Sequence, residues 1–243
     1  MSRAVLSITA DWIVTTLSIP HYYAAVTRSR FTVYVPPLFK EDRIDVLHDA
    51  IRAAGLVTLV TLTPGGLIAS HVPVLLDTSP APYGTLLGHV ARPNPQARGA
   101  VAGTEALAIF QGPDAYITPS WYETKRQTAK VVPTWNYVAI HAYGTVEFFN
   151  DADRLLDIVT RLTSREEARR AEPWAVTDAP ADFIDMMLKG IVGFALPITR
   201  LEGKWKMSQN RPAEDQRGVV AGLVADGKTE VAALVPDGQS QPG

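Results

Sequence analysis

Polar and apolar positions alternate most regularly in Val132-Pro133-Thr134-Trp135-Asn136-Tyr137-Val138-Ala139-Ile140-His141-Ala142-Tyr143-Gly144-Thr145-Val146-Glu147. The two-residue period of a pleated strand puts Trp135, Tyr137, His141, Tyr143 and Thr145 on one side and Val138, Ile140, Ala142 and Val146 on the other. The aliphatic side reads as barrel or sandwich core. The aromatic and imidazole side calls for a partner: a flat cofactor, a second subunit or a covering loop, each of which buries aromatic area while satisfying polar tips.

The same reading predicts the remaining elements. Ile44, Leu47, Ile51 and Ala54 recur at helical spacing within Lys40–Ala54, and Gly55 is a natural stop. Leu56–Leu62 and Leu67–Leu76 flank the turn Thr63-Pro64-Gly65-Gly66 and form a hairpin. Pro73 lacks an N–H and belongs at a strand edge or a break in the ladder, which leaves Ser70 and His71 just before a local opening. That opening is either a ligand ledge or a plain edge strand. Gly84–Ala91 is a strand carrying His89, which feeds through Arg92-Pro93-Asn94-Pro95-Gln96 into a short helix, Ala97–Gly103. Unpaired first-turn N–H groups favour a phosphate there, and Arg92, Asn94, Gln96 and Arg98 add donors. Many helix starts bind nothing, so the signal is weak by itself.

Glu105–Gly112 and Asp114–Thr118 read as further strands, followed by the aromatic loop Pro119–Arg126. Asp151–Leu162 is a helix with Leu155, Val159 and Leu162 inward, and a second helix from Asp178 carries Phe183, Met186 and Met187 as core residues. Ile191–Met207 is a final strand with a donor-rich end, Gly203–Arg211. Pro212–Leu223 is a short helix. The strand density implies a mainly β (α+β) barrel domain over residues 31–223. Residues 1–30, whose apolar run Asp11 interrupts, are an N-terminal extension, and residues 224–243, rich in Gly, Asp, Gln and Pro, are a flexible tail.

Composition narrows the function classes. A chain of 243 residues with 47% hydrophobic and 20% charged residues can bury a sizeable core. The net charge of −2 carries no bulk basic footprint for nucleic acid. The absence of cysteine excludes disulfides, thiolate metal sites and cysteine nucleophiles, and fits a cytoplasmic protein. No apolar run is long enough to span a bilayer. Glycine-rich dinucleotide loops, HExxH and GxSxG are all missing. The five histidines are scattered, His48 is expected on a helix surface, and none is assigned as a general base.

Several segments together resemble the PaiB-like FMN-binding negative transcriptional regulators, a split-barrel flavoprotein family. They are Tyr34-Val35-Pro36-Pro37-Leu38-Phe39, Ala69-Ser70-His71-Val72-Pro73, Leu87–Gln96, Ile109–Ile117, Ser120-Trp121-Tyr122, Pro133-Thr134-Trp135-Asn136-Tyr137 and Gly203–Arg211. The resemblance spans about Tyr34 to Leu223. It implies a six-stranded split β-barrel that dimerises, with FMN between subunits and its phosphate near the third strand and the following helix. Carried over by position, Ser70, His71 and Pro73 line the isoalloxazine, and His89, Arg92, Asn94 and Gln96 lie towards the phosphate. Trp135 and Asn136 reach across the dimer, and Lys204, Lys206, Ser208 and Gln209 supply remaining contacts. The implied activity is a flavin-dependent oxidoreductase or flavin-linked sensor. The alternatives are a repressor acting on DNA or a protein partner, for which DNA rests on family analogy alone, and a cofactor-free or haem-handling module.

Overall fold

Two prolines and one bulge decide how the alternating segments are shared between sheets. The computed structural model describes residues 33–236, so the expectations for residues 1–30 and for the end of the tail lie outside the described residues. In chain order the first half comprises β1 (Lys40–Glu41), α1 (Ile44–Ala53), β2 (Val57–Thr63), β3 (Gly66–Val72), β4 (Val74–Asp77), β5 (Thr85–Ala91), α2 (Gln96–Gly99) and β6 (Glu105–Ile117). The second half comprises α3 (Glu123–Thr128), β7 (Thr134–Thr145), β8 (Glu147–Phe149), α4 (Ala152–Glu167), α5 (Ala181–Leu188), β9 (Ile191–Pro197), β10 (Arg200–Lys206), α6 (Ala213–Ala225) and α7 (Thr229–Ala232).

The strands form a six-stranded sheet in the order β1-β10-β7-β6-β2-β3 and a four-stranded sheet in the order β4-β5-β9-β8, all antiparallel. Pro73 is the corner at which the chain leaves the first sheet at β3 and enters the second at β4. The break at Pro197–Thr199 likewise divides the expected final strand Ile191–Met207 into β9 and β10, which belong to different sheets. With these two breaks and the short strands β1 and β8, ten strands are formed where the resemblance implies six. The two sheets do not close on each other, which makes this a split β-barrel with flanking helices.

One core fills the space between the sheets. Val57 and Leu59 of β2, Ala106, Ala108 and Phe110 of β6, and Ile140 and Ala142 of β7 face Leu86, Val90, Val192, Phe194 and Leu196, with Leu47 and Ile51 of α1 against them. Alternation along β6 and β7 therefore points the intervening residues outward. Helix α4 covers the far side of the four-stranded sheet through Leu155, Ile158 and Leu162. A third cluster lies at the far end of β6 and β7, where α6 and α7 pack Val219, Leu223, Val231 and Val235 against Ile117, Val138 and Met207.

Several expectations are corrected. Glu105–Thr118 is one long strand, not two: the register shifts from Gln111↔Ala139 to Asp114↔Tyr137, so Gly112 and Pro113 bulge opposite Val138. His48 is buried, with Nε2 3.0 Å from the Tyr83 carbonyl, which gives the ring a polar partner away from solvent. Phe183, Met186 and Met187 are exposed, since α5 buries Leu188 instead. The tail expected from residue 224 is folded as far as residue 236, because Val231, Ala232 and Val235 close the third cluster. The helix after β5 is shorter than expected, a single turn over Gln96–Gly99.

Candidate functional site

The mouth of the barrel gathers one group of the singled-out residues. Edge strand β3 ends there, and so does β5, whose chain turns through Arg92–Pro95 into α2. Asn94 Nδ2 donates to Ser70 Oγ at 2.8 Å, and Asn94 Oδ1 accepts from the Gln96 backbone N–H at 2.9 Å. One asparagine thus ties the edge strand to the start of α2. Gln96 is fully buried, and its Nε2 donates to the Leu59 carbonyl at 2.9 Å. It anchors α2 to β2, with its own Oε1 left without a partner.

Arg92 runs the other way along the mouth. Its Nη1 donates to Asn150 Oδ1 at 2.8 Å, its Nη2 to the Ile191 carbonyl at 2.7 Å, and its Nε to the Lys189 carbonyl. Arg98 is exposed and makes one long bond, to the Arg92 carbonyl at 3.3 Å. Arg92, Arg98 and Asn150, with Ala97, Phe148 and Val192, line a cavity of about 310 Å³. Its polar wall consists of two guanidinium groups and an amide, a donor set for an anion. Asn150 is the lining residue that the sequence does not point to. Arg98 was visible as a donor near a helix start, whereas nothing in the sequence pairs Asn150 with Arg92.

His71 and His89 do not join that cavity. His89 shares the outward face of β5 with Leu87, which packs in the α4 cluster. Its Nδ1 is buried without a partner, and burial lowers its pKa from the ordinary imidazole value. His71 is exposed on β3 and occupies one row of the outer sheet face with Thr58, Ile109, His141 and Glu202. His141 Nδ1 lies 3.3 Å from the Tyr143 hydroxyl, and burial depresses its pKa as well. In the next row Arg200 covers the Tyr143 ring at 3.4 Å from its centroid and pairs with Glu202 at 2.9 Å and Glu105 at 3.1 Å.

A second group gathers at the far end of the same outer face. Trp135 is exposed and meets Tyr116 edge-on, with ring centroids 5.9 Å apart. Lys204 donates to the Tyr34 carbonyl at 2.9 Å and lies 5.2 Å from the centre of the Tyr137 ring. Lys206 donates to Thr134 Oγ1 and to the Trp135 carbonyl at 2.6 Å. Burial, reinforced by the charges of Lys204 and Arg211, lowers the Lys206 pKa.

Asn136, Ser208 and Gln209 face inward instead. Asn136 is fully buried, donates from Nδ2 to Ser208 Oγ at 3.0 Å and accepts from that hydroxyl at 3.1 Å. The bond holds Ser208 at a φ of 62°, in the left-handed region. Gln209 folds back on its own turn, accepting from the Met207 N–H and donating to the Trp205 carbonyl. The Asn136 amide is thus engaged inside its own chain.

An open-edged pair of antiparallel sheets with a guanidinium-lined mouth defines a split-barrel protein. Residues 33–200 match the family model described as "Putative FMN-binding domain". The chain is 33% identical over 191 residues to the protease synthase and sporulation protein PAI 2 of Bacillus subtilis, covering 79% of this chain and 89% of that one. An uncharacterized protein of Aspergillus fumigatus is 34% identical over 236 residues, covering 79% and 90%. Among solved structures, a conserved hypothetical protein of Mycobacterium tuberculosis superposes with a TM-score of 0.52 at 12% identity, covering 74% of this chain and 94% of that one, which speaks for the fold. This chain belongs to the PaiB-like family of split-barrel proteins with an FMN-binding-type domain.

Proposed function

We propose that the protein binds FMN as a homodimer and uses it as a redox cofactor, in an oxidoreductase or a flavin-linked sensor. The observation that carries this reading is the barrel-mouth cavity, where Arg92, Arg98 and Asn150 meet beside the Ser70–Asn94 link. A phosphate dianion leaving water needs cationic or multiple N–H donors, and this wall provides both. Edge strand β3 beside it has backbone groups free along one side, a suitable rail for the hydrogen-bonding edge of a flat heterocycle. No cluster of three or more potential metal ligands exists among the described residues. Flavin supplies its own electron chemistry when bound, so the chain need only bind and orient it.

Dimerisation explains why the singled-out residues form two groups. The row of His71 and the positions of Trp135, Lys204 and Lys206 are separated by three to four strands laterally and two to six residues along the strands, roughly 20–25 Å by strand geometry. A second copy lying on the outer face can bring its Trp135–Lys204 end to the Ser70–Arg98 end of the first. The test is the visible spectrum of the purified protein before and after adding FMN. A flavin spectrum is expected, and Arg98→Ala should weaken FMN binding by about tenfold or more, the worth of a charge-assisted bond. Colourless protein that also fails to take up FMN would sink the proposal, and unchanged affinity in the variant would move the phosphate elsewhere.

A further inference from the structure

The bulge in β6 opens a second, separate cavity on the inner side of the six-stranded sheet. Its volume is about 570 Å³, within the usual range for small-molecule sites. Phe110, Val138, Ile140 and Trp205 form the floor, and the small side chains of Ala50 and Ala53 on α1 leave the space above them. Helix α7 closes the other side with Glu230 at the rim. Gly112 cannot be enlarged without disturbing this floor, since a Cβ there would lie 2.8 Å from the Val138 Cβ. Among the described residues the cavity shares no lining residue with the guanidinium-lined mouth.

The charge pattern at the rim defines the occupant. Among the described residues no Lys, Arg or His lines the cavity, and Glu230 is the one charged residue in its lining. Glu230 is exposed and forms no ion pair among the described residues. The bulge adds Pro113, which has a carbonyl but no N–H. An apolar slot with an indole in its floor and acceptors at its rim matches an apolar body that ends in a protonated amine. We infer that this cavity binds a lipophilic primary amine, with the ammonium at Glu230 and the hydrocarbon between Trp205 and α1.

The matched probes are octylamine, octanol and octanoate, added below micelle concentration to the full-length protein and followed by tryptophan fluorescence and calorimetry. Octylamine is expected to bind at one site, about fivefold more tightly than octanol, which is the scale of an exposed ion pair, with octanoate weakest. Glu230→Gln should bring octylamine down to the octanol level. Ala50→Leu should fill the slot and weaken both octylamine and octanol. Glu230 is on an exposed surface, so that variant remains informative even if Ala50→Leu fails to fold. Octanoate or octanol binding as tightly as octylamine, or an octylamine affinity untouched by Glu230→Gln, would overturn the inference.

Discussion

At the scale of single residues, the histidines illustrate how burial replaces chemistry as the explanation. His89 has a buried, unpartnered Nδ1, and burial alone lowers its pKa. The folded protein therefore holds the neutral ring more strongly than the unfolded chain does, whose imidazole titrates near 6.5. The stabilisation is complete above that value and is lost as pH falls through the window down to the depressed folded value, because the unfolded state binds the proton first. His141 shifts in the same direction for the same leading reason. Urea denaturation between about pH 5 and about pH 8 should show stability falling on the acid side. The fall should be shallower in His89→Gln, with the remainder belonging to His141. An identical slope in the variant would mean that His89 is as well solvated folded as unfolded.

At the scale of elements, α6 depends on residues it lacks. Trp121 lies against the helix where Gly218 and Gly222 fall one turn apart, and a Cβ at Gly222 would overlap its indole. In an ordinary helix, Gly→Ala stabilises by about 0.8–1.0 kcal/mol. Here the sign reverses, and Gly222→Ala should cost about 1–3 kcal/mol, the scale of overpacking, in chemical denaturation. A stabilised variant would show that Trp121 moves freely. Neither glycine could be read this way from the chain, because the wedge comes from a loop roughly a hundred residues earlier. The strand β7 was legible for the opposite reason: Val138, Ile140 and Ala142 alternate locally, and each faces the interior. Pro73 was legible as a break, but the switch between sheets was not, because the partner strand β5 is distant in sequence. Helix α7 stayed hidden because Val231 and Val235 are sparse among Gly and Asp, and only the cluster they complete gives them meaning. Of the candidate site, the Ser70, Arg92 and Asn94 neighbourhood was visible as a motif. Motif position could not separate the exposed Trp135 from the buried Asn136 beside it, since their roles depend on Ser208 and Tyr116, which lie elsewhere in the chain.

At the scale of the whole molecule, the outer face of the six-stranded sheet is the surface the proposed dimer would cover. Val60, Leu107 and Ile109 are only partly buried there, and Leu62 and Leu67 are exposed across the β2–β3 hairpin. Charged groups frame this apolar area, with Arg200 held by Glu105 and Glu202 on one side. A stable homodimer needs about 800 Å² per partner, with charge depleted at the centre of the patch. Ile109 is at that centre, in the row between Thr58 and His141. A lysine there can extend into water in the monomer, so Ile109→Lys should leave the melting temperature of dilute protein nearly unchanged. In an interface it would bury an unpaired ammonium, and the dimer should dissociate at least tenfold more readily in sedimentation experiments. If the two groups of site residues meet across subunits, FMN affinity should fall in the same variant and depend on protein concentration. A variant that stays dimeric with flavin affinity intact would place the interface on another face. One that becomes monomeric yet keeps full flavin affinity would assign the entire cofactor site to a single chain, and the Trp135–Lys204 end would then need a different explanation.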